Sequence, residues 1–301
     1  MATIQDLLTE AIGRLRNSGS ETARLDAEVL LGAVLGIDRT GIIAQPSALV
    51  GDGSAERFGE AIGRREAGEP VAYIRGMKEF RGLAFGVDAR ALIPRPETEL
   101  LVELAEAEVV HRLTATPRPA GAPPLRVLEV GTGSGAVAIA LAVALRRRKM
   151  LDEVELVATD VSSDAVQLAR ENGVAHAVGD RLRFEVADLL PGDSAGAWDV
   201  IAANLPYVRT GALADLPRAT TFEPVGALDG GADGLSVIGR LLDRLADGLT
   251  PDGVALLEIG GDQEPEMQAA VAERLPGWSC EIRPDLGGLP RVARIARPRP
   301  A

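Results

Sequence analysis

The stretch 127–135 constrains the fold of this chain more than any other. A short apolar run passes through Glu129, and glycine then stands at every second position, at Gly131, Gly133 and Gly135. Apolar residues at helical spacing follow, so the pattern predicts a strand, a glycine turn and a helix. Glycine lets the backbone turn sharply and approach a ligand, and the next helix begins with free N–H groups. The unit therefore suits a nucleotide-like cofactor.

The glycine turn does not by itself identify that cofactor. Gly131, Gly133 and Ala136 also satisfy the loose dinucleotide pattern G-x-G-x-x-G/A. A tight strand-to-helix turn that binds nothing would use the same residues. A second motif further along the chain decides between these alternatives.

The composition limits the classes of function. The chain has 301 residues, of which 46% are hydrophobic and 25% charged, and this predicts a globular protein of two domains. It contains no apolar run of about 18 residues, so we expect no membrane span. The single cysteine fits a reducing cytoplasm, and the two separated histidines make no case for a metal site. The net charge of −12 argues against indiscriminate nucleic-acid binding.

Residues 1–70 predict a small helical domain. Apolar residues recur at helical spacing over 3–17, 21–35 and 54–67, and Gly36 is expected to end the second helix. The side chains expected to face its core are Ile4, Leu7, Leu8, Ala11, Ile12, Leu15, Leu25, Val29, Leu30, Ala33, Val34, Phe58, Ala61 and Ile62. A helical module ahead of a cofactor domain often selects the substrate, so we expect a docking role.

Residues 71–90 predict a β-hairpin that connects the two domains. The runs 71–74 and 83–87 flank a glycine-containing turn and are typical of paired strands. Two prolines in the run 92–99 then hold the chain extended.

The end of this proline-rich run is expected to start the next helix, with Glu97 or Thr98 in its first turn. Leu100, Leu101, Leu104 and Ala105 would face the core. Capping accounts for the acidic residues of the run, but it does not account for Arg95 between two prolines.

Residues 91–301 are predicted to form an α/β domain in which strands and helices alternate. We expect a surface loop over 114–124, strands over 125–130, 154–159, 182–187, 198–203, 253–259, 278–283 and 291–296, and helices over 135–149, 163–175, 233–247 and 264–274. Such alternation predicts a parallel sheet with helices on both faces.

Polar residues follow four successive strands of this pattern: Glu129, Asp160, Asp188 and Asn204. Any one of them alone could be a turn or cap residue. Together they favour a ligand site, because ligands bind at the carboxyl ends of the strands in open α/β sheets.

The acidic residues at this edge favour S-adenosylmethionine over a dinucleotide. Asp160 is placed to accept hydrogen bonds from ribose hydroxyls. Asp188 can accept from an adenine amine, and Leu189 beside it can cover the ring. Carboxylates also suit a positive sulfonium, whereas the pyrophosphate of NAD would prefer positive charge nearby.

The run Asn204-Leu205-Pro206-Tyr207 is the motif that decides the chemistry. A planar –NH2 nitrogen is a poor nucleophile, because its lone pair is delocalised. The Asn204 side-chain oxygen and the Leu205 carbonyl can each accept one N–H of such a group. Pro206 fixes the turn and Tyr207 can stack on the planar group. We therefore expect correct orientation of this –NH2 group to be the main contribution to catalysis.

In this motif, and over nearly its whole length, the chain resembles the peptide chain release factor glutamine methyltransferases. Besides the glycine turn and 204–207, the segments that carry the resemblance are 70–76, 79–80, 92–99, 223–224, 227–228, 231–234, 257–260 and 285–291. One departure is Leu205, where the family usually has proline; leucine still supplies the backbone carbonyl, so we expect activity.

The resemblance implies a seven-stranded methyltransferase sheet with an antiparallel last strand, behind a helical substrate-docking domain. It implies methyl transfer from S-adenosylmethionine to N5 of the glutamine in the Gly-Gly-Gln motif of class 1 release factors, with S-adenosylhomocysteine as co-product and no metal. The implied cofactor residues are Gly131, Thr132, Gly133, Ser134, Gly135, Asp160, Asp188, Leu189 and Asn204. The implied substrate and catalytic residues are Asn204, Leu205, Pro206 and Tyr207, bordered by Arg95 and Glu97.

Three alternatives stay open at this point. The first is methylation of a ribosomal-protein glutamine, which the proline-rich run disfavours. The second is methylation of adenine N6, which the acidic charge disfavours. The third is a non-catalytic dinucleotide-binding protein, which leaves the run 204–207 unexplained. We expect a cytoplasmic monomer that does not contact nucleic acid or a membrane.

Overall fold

The computed structural model of the protein describes residues 1–115, 119, 121–192 and 196–298. The chain divides into two compact units, Met1–Met77 with Pro217–Phe222, and Lys78–Leu216 with Glu223–Ala301. Part of the surface loop predicted over 114–124 lies outside the described residues, so that prediction stays open there.

The first unit is helical, as predicted. Its helices are α1 (Ile4–Asn17), α2 (Ala23–Leu35), α3 (Arg39–Ala44), α4 (Asp52–Glu66) and α5 (Val71–Arg75), and β1 (Ala2–Thr3) pairs with β2 (Leu49–Val50). Thr3 and Asp6 form a capping box at the start of α1. Gly36 ends α2 in the left-handed conformation, with φ +70°, as expected.

The predicted core face of α2 is partly wrong. Leu25 is 44% exposed and Ala33 is also exposed, whereas Ala23, Ala27 and Leu31 are buried. Two acidic residues lie on the buried face of α2, so this face is not the purely apolar one that includes Leu25. They are Asp26, which pairs with Arg65, and Glu28, which pairs with Arg24 and Arg39.

The strand predicted over 71–74 is also wrong, because these residues form helix α5. Pro70 precedes the helix and Gly76 ends it with φ +67°. Val71 and Ile74, one helical turn apart, pack against the core of the first unit. A short apolar run does not distinguish a helix from a strand, and here the helical spacing of the packed residues prevailed.

A hairpin does follow, but it begins at Met77. It consists of β3 (Met77–Phe80) and β4 (Leu83–Gly86). Arg81 and Gly82 form the turn with φ of +50° and +70°, the backbone that a two-residue hairpin turn requires.

The second unit alternates strands and helices close to the predicted bounds. Its strands are β5 (Leu125–Val130), β6 (Val154–Asp160), β7 (Leu182–Val186), β8 (Trp198–Ala203), β9 (Leu249–Glu258), β10 (Ser279–Pro284) and β11 (Pro290–Ala296). Its helices are α6 (Glu99–Thr114), α7 (Ala136–Arg147), α8 (Ser163–Ala175), α9 (Ser236–Gly248) and α10 (Glu264–Arg274). On α6, Leu101 and Ala105 are buried as expected, and Leu100 and Leu104 only partly.

The seven strands form one sheet in the order β7-β6-β5-β8-β9-β11-β10. β5 to β9 pair in parallel, and β11 runs antiparallel to both of its neighbours. This confirms the predicted seven-stranded sheet with its antiparallel last strand. The strand order reverses between β5 and β8, so the glycine turn and Asn204 leave the sheet side by side at a topological switch point.

The buried residues of the second unit surround this sheet. α7 is apolar on almost every face, and most of its residues are buried. Four apolar side chains of α9 pack in a core that also includes Trp198 and Ile201: Ile238, Leu241, Leu242 and Leu245. Within the described ranges, no helix is both long and apolar enough to cross a membrane.

Candidate active site

A cavity of about 410 Å³ lies at the carboxyl edge of the sheet, within the size range of small-molecule sites. Eleven of the predicted site residues line it: Gly131, Thr132, Gly133, Ser134, Asp160, Asp188, Leu189, Asn204, Leu205, Pro206 and Arg95. In the part of the chain that the structure describes, Gly135, Tyr207 and Glu97 are not in this lining. The roles of individual residues in binding stay predictions.

The glycine turn is held by the backbone of the neighbouring strand. The N–H groups of Gly131 and Thr132 both donate to the Thr159 carbonyl, at 2.9 and 2.8 Å. Gly131, Gly133 and Gly135 have φ of +76°, +53° and +82°, a backbone region that residues other than glycine rarely adopt. The turn therefore requires glycine for its conformation, independently of any ligand.

Two of these glycines face different surroundings. A Cβ on Gly135 would lie 2.7 Å from Cδ1 of Ile139 and 3.1 Å from Cβ of Ala169, so this glycine serves helix packing. A Cβ on Gly133 would meet only Cβ of Ala91, at 3.8 Å. Gly133 therefore leaves open space beside the cavity, which is the arrangement that close approach of a ligand needs.

Glu129 is a buried carboxyl group at the end of β5. Its Oε2 accepts from the Thr132 hydroxyl at 2.6 Å and from the Ala138 N–H at 3.1 Å. Burial raises the pKa of Glu129 to about 8, and these two hydrogen bonds oppose the rise. Because Glu129 lines the cavity, a cationic group placed there would favour its ionised form.

Asp160 supports the glycine turn as well as lining the cavity. Its Oδ2 accepts from the Gly133 N–H and its Oδ1 from the Ser162 N–H, each at 2.9 Å. Ser162 in turn caps α8 through the Ala165 N–H. The carboxylate is thereby fixed between the turn and the next helix, with further lone pairs available to a ligand.

Asp188 and Leu189 follow β7 at the far side of the cavity. The Asp188 carboxylate forms an ion pair with Arg240, and both side chains are more than half exposed. Leu189 is buried and has φ +66°, an unusual conformation for leucine. The Thr159 hydroxyl donates to the Leu189 carbonyl at 2.8 Å and helps to hold this strained backbone at the cavity wall.

The run 204–207 leaves β8 beside the glycine turn. The Asn204 Nδ2 donates to the Thr98 hydroxyl at 2.9 Å, which leaves the amide oxygen on the opposite side of the planar group. Leu205 is buried, and its Cδ2 lies 3.0 Å from where a Cβ on Gly131 would stand. The leucine that departs from the family's proline therefore packs on the glycine turn.

Tyr207 is anchored away from the cavity lining. Its hydroxyl donates to Oε1 of Glu258 at 3.4 Å, and its carbonyl accepts from Nε2 of Gln263 at 3.0 Å. Burial and the charge of Glu258 raise the pKa of Tyr207 to about 12, so the phenol stays protonated.

The structure explains the arginine between two prolines. Arg95 pairs with Glu223, whose side chain is 1% exposed and whose other oxygen accepts from the Ile93 N–H at 3.0 Å. The proline-rich run is thus tied to the loop between β8 and α9, and Arg95 lines the cavity from this fixed position. Glu97 is exposed.

The sequence reasoning missed Asn172, which supports the site from α8. Its Oδ1 accepts from the Gly86 N–H at 2.7 Å, and its Nδ2 donates to the carbonyls of Gly86 and Ser134 at 3.0 and 2.8 Å. One buried amide therefore joins the hairpin to the glycine turn. An asparagine on the apolar face of the predicted helix 163–175 was the available signal. Arg90, Ala91 and Arg240 also line the cavity, but no sequence pattern indicated them as site residues.

Comparisons with known proteins agree with this architecture. Residues 6–76 match the family model described as the PrmC N-terminal domain, and residues 115–220 match the methyltransferase small domain. The catalytic domain of hMettl16, solved in complex with MAT2A 3′UTR hairpin 1, is 14% identical with a TM-score of 0.52. That comparison covers 85% of this chain and 84% of the other, and it shows the shared fold alone.

Two curated relatives match over almost the whole length. A release factor glutamine methyltransferase of Deinococcus radiodurans is 38% identical over 294 residues, covering 98% of both chains. One of Bradyrhizobium diazoefficiens is 36% identical over 297 residues, covering 95% of this chain and 92% of its own. Sequence identity of this level and extent, together with the methyltransferase sheet and its cavity, means that the chain belongs to the release factor glutamine methyltransferase family.

Proposed function

We propose that this protein transfers a methyl group from S-adenosylmethionine to the side-chain nitrogen of the glutamine in the Gly-Gly-Gln motif of class 1 peptide chain release factors. The observation that carries the proposal is the placement of Asn204. Its amide lies in the cavity wall at the switch point, directly beside the glycine turn. Its nitrogen is bound by Thr98, which leaves its oxygen as the acceptor for a substrate N–H.

The residues of the cavity fit S-adenosylmethionine. The open space at Gly133 admits a ligand close to the backbone, and Asp160 offers free lone pairs to ribose hydroxyls. Asp188 would accept a hydrogen bond from an adenine amine and Leu189 would cover the ring, and the Glu129 carboxyl would favour a cation. When bound, this cofactor supplies an electrophilic methyl group on a positive sulfonium.

The chain's own contribution is to hold the glutamine amide. The Asn204 oxygen accepts one N–H and the Leu205 carbonyl accepts the other, so that the nitrogen lone pair faces the methyl group. Pro206 restricts the turn, and Tyr207 is held by one hydrogen bond at its ring hydroxyl and another at its backbone carbonyl. Transfer would form the N–C bond as the sulfonium S–C bond breaks, leaving S-adenosylhomocysteine, and the amide nitrogen would then release a proton to solvent. Orientation of a weak nucleophile is therefore the main source of acceleration.

The test is methylation of an intact release factor. Purified protein, S-adenosylmethionine and a class 1 release factor are incubated, and the product is digested and mapped by mass spectrometry. We expect one added methyl group, on the glutamine of the Gly-Gly-Gln motif. A release factor with glutamate at that position is the matched substrate control. Methyl transfer to a ribosomal-protein glutamine or to adenine N6 in place of the release factor would contradict the proposal.

We further propose that residues 1–70 dock the release factor, and that the enzyme works as a cytoplasmic monomer. Support for docking comes from the separate helical unit and its match to a domain found at the N terminus of the family. A short Gly-Gly-Gln peptide should then be a much poorer substrate than the intact factor, since it lacks the remote contacts. Equal kcat/KM for peptide and factor would contradict docking, and light scattering of the active enzyme tests the monomer.

A further inference from the structure

The turn between β10 and β11, residues 285–289, exposes two leucine side chains. Leu286 is fully exposed and Leu289 is 54% exposed. β11 runs antiparallel to both β9 and β10, so this turn lies at the carboxyl edge of the sheet, the edge that also carries the cavity. The segment 285–291 belongs to the family resemblance, and the proposed methyl transfer gives it no role.

Asp285 fixes the conformation of this turn. Its Oδ1 accepts from the N–H groups of Gly287 and Leu289 at 2.9 and 3.1 Å, and its Oδ2 pairs with the Arg291 guanidinium at 3.1 Å. The Asp285 N–H donates to the Leu289 carbonyl, and the Gly288 N–H donates to the Asp285 carbonyl, each at 2.9 Å. The carboxylate and the guanidinium are only 17% and 11% exposed. The two leucines are therefore displayed on a well-bonded support.

Arg291 joins the base of the turn to the end of β9. Its Nη1 donates to the Ile259 carbonyl at 3.4 Å, and the Ile259 N–H donates to the Arg291 carbonyl at 2.9 Å. Ile259 follows Glu258, the last residue of β9, whose Oε1 accepts from the Tyr207 hydroxyl at 3.4 Å. The turn is thus fixed to the strand end that also anchors Tyr207.

The leucine side of the turn lies on the loop that follows β9. The Cβ of Leu289 lies 3.6 Å from where a Cβ on Gly261 would stand. In the same loop, Gln263 accepts from the Gly260 N–H at 2.7 Å, and its Nε2 donates to the Tyr207 carbonyl at 3.0 Å. Gln263 is 1% exposed, so this connection is buried. The exposed leucines therefore stand close to the motif that is proposed to hold the substrate amide.

We propose that the turn 285–289 is a docking surface for an apolar segment of the release factor that flanks its Gly-Gly-Gln motif. The inference rests on the proposed function. Gly-Gly-Gln has a single side chain beyond hydrogen, and that side chain enters the cavity, so recognition needs contacts beside the motif. A single exposed leucine needs no explanation, whereas a rigid pair of them beside a substrate site fits a protein partner. Burial of Leu286 and Leu289 against that segment would hold it at the entrance of the cavity.

The experiment replaces the leucines and measures steady-state methylation of intact release factor. Leu286→Ser combined with Leu289→Ser should raise KM for the factor by about tenfold or more, because apolar burial is lost. The kcat, the S-adenosylmethionine affinity and the thermal midpoint should stay close to those of the wild type. Leu286→Met keeps the apolar surface and should preserve KM. The matched control is Val174→Ser, which removes a 74% exposed apolar side chain from the last turn of α8 and should leave KM unchanged.

The outcomes separate this inference from the proposed function. No transfer by the wild type refutes the proposed function, and the inference falls with it. Transfer by the wild type with an unchanged KM in the double variant overturns the docking surface alone. A loss of kcat or of cofactor affinity in place of the rise in KM also overturns it, because it would indicate an altered active site.

Two further outcomes are decisive. A change from dimer to monomer in light scattering, with KM unchanged, would assign the leucines to contact with a second copy of this chain and overturn the proposal. If the double variant does not fold, Leu286→Ser alone decides, because its side chain is fully exposed. That single variant should raise KM by about threefold or more, and an unchanged KM would overturn the proposal.

Discussion

The two halves of the cavity are built in different ways. The glycine turn is held by backbone groups of β6, the strand next to β5, and its conformation follows from three glycines in five residues. The run 204–207 is held by side chains that lie far away in the sequence: Thr98 is 106 residues from Asn204, and Glu258 and Gln263 are 51 and 56 residues from Tyr207. The conformation of the glycine turn, the proposed cofactor side, is therefore set largely by its own glycines. The run 204–207, the proposed substrate side, depends instead on which distant segments the order of the strands brings to it.

The largest effect should come from removing the acceptor on the substrate side. Asn204→Ala is expected to lower single-turnover transfer by roughly 10²–10³, as loss of a comparable polar contact does in other active sites. Cofactor affinity should change far less, because the glycine turn does not depend on this side chain. Asn204→Asp should also be impaired, because it brings a charge and can no longer donate to Thr98. Near-normal transfer by Asn204→Ala would contradict the mechanism.

A pair of glycine substitutions probes the cofactor side. Gly133→Val should keep the protein folded but weaken S-adenosylmethionine binding by about tenfold or more, because the side chain would enter the open space beside the cavity and the positive φ would distort the turn. Gly135→Val should instead lower the thermal stability, because its side chain would collide with Ile139 and Ala169. Calorimetry and thermal unfolding separate the two effects. Unchanged cofactor affinity in folded Gly133→Val would remove Gly133 from the site.

A smaller effect should link cofactor binding to protons. Glu129 has a pKa of about 8 in the free protein, so it is mostly neutral at pH 7. A cationic cofactor favours the carboxylate, so binding should release a proton, and affinity should rise with pH up to about 8 by at most about tenfold per unit. Calorimetry in buffers of different ionisation enthalpy measures this release. Glu129→Gln is the control that should abolish it, and pH-independent affinity of the wild type would contradict it.

The smallest effect is expected where the chain departs from its family. Leu205→Pro keeps the backbone carbonyl and loses the contact between the leucine side chain and the glycine turn. Transfer should stay within about threefold of the wild type, which corresponds to under about 1 kcal/mol in the barrier. A hundredfold loss would mean that the leucine side chain, and not only its carbonyl, takes part in holding the substrate.

Most helices and strands of the second unit could be predicted from the sequence to within two residues, because each has a strong apolar period and a clear boundary. Helix α8, for example, was expected over 163–175 and occupies Ser163–Ala175. The exceptions are β9, which begins four residues before the predicted strand, and α9, which begins three residues after the predicted helix start. The segment 71–75 could not be predicted, because five residues are too few for the period to distinguish a helix from a strand. The prediction that Leu25 is buried was wrong for a different reason. The ion-paired side chains of Asp26 and Glu28 lie on the buried face of α2, and apolar spacing alone does not reveal this.

The sequence by itself determined the glycine turn, the acidic strand ends and the run 204–207, because each is a local pattern that can be recognised from neighbouring residues. Only the tertiary structure decided which long-range partners these groups meet. It assigned Arg95 to Glu223 and placed Asn172 between the hairpin and the glycine turn. It also joined Asn204 to Thr98 and Tyr207 to Glu258. The physical reason is that a hydrogen bond needs its two groups within about 3 Å, and strand order, which no local pattern carries, decides which distant segments come that close.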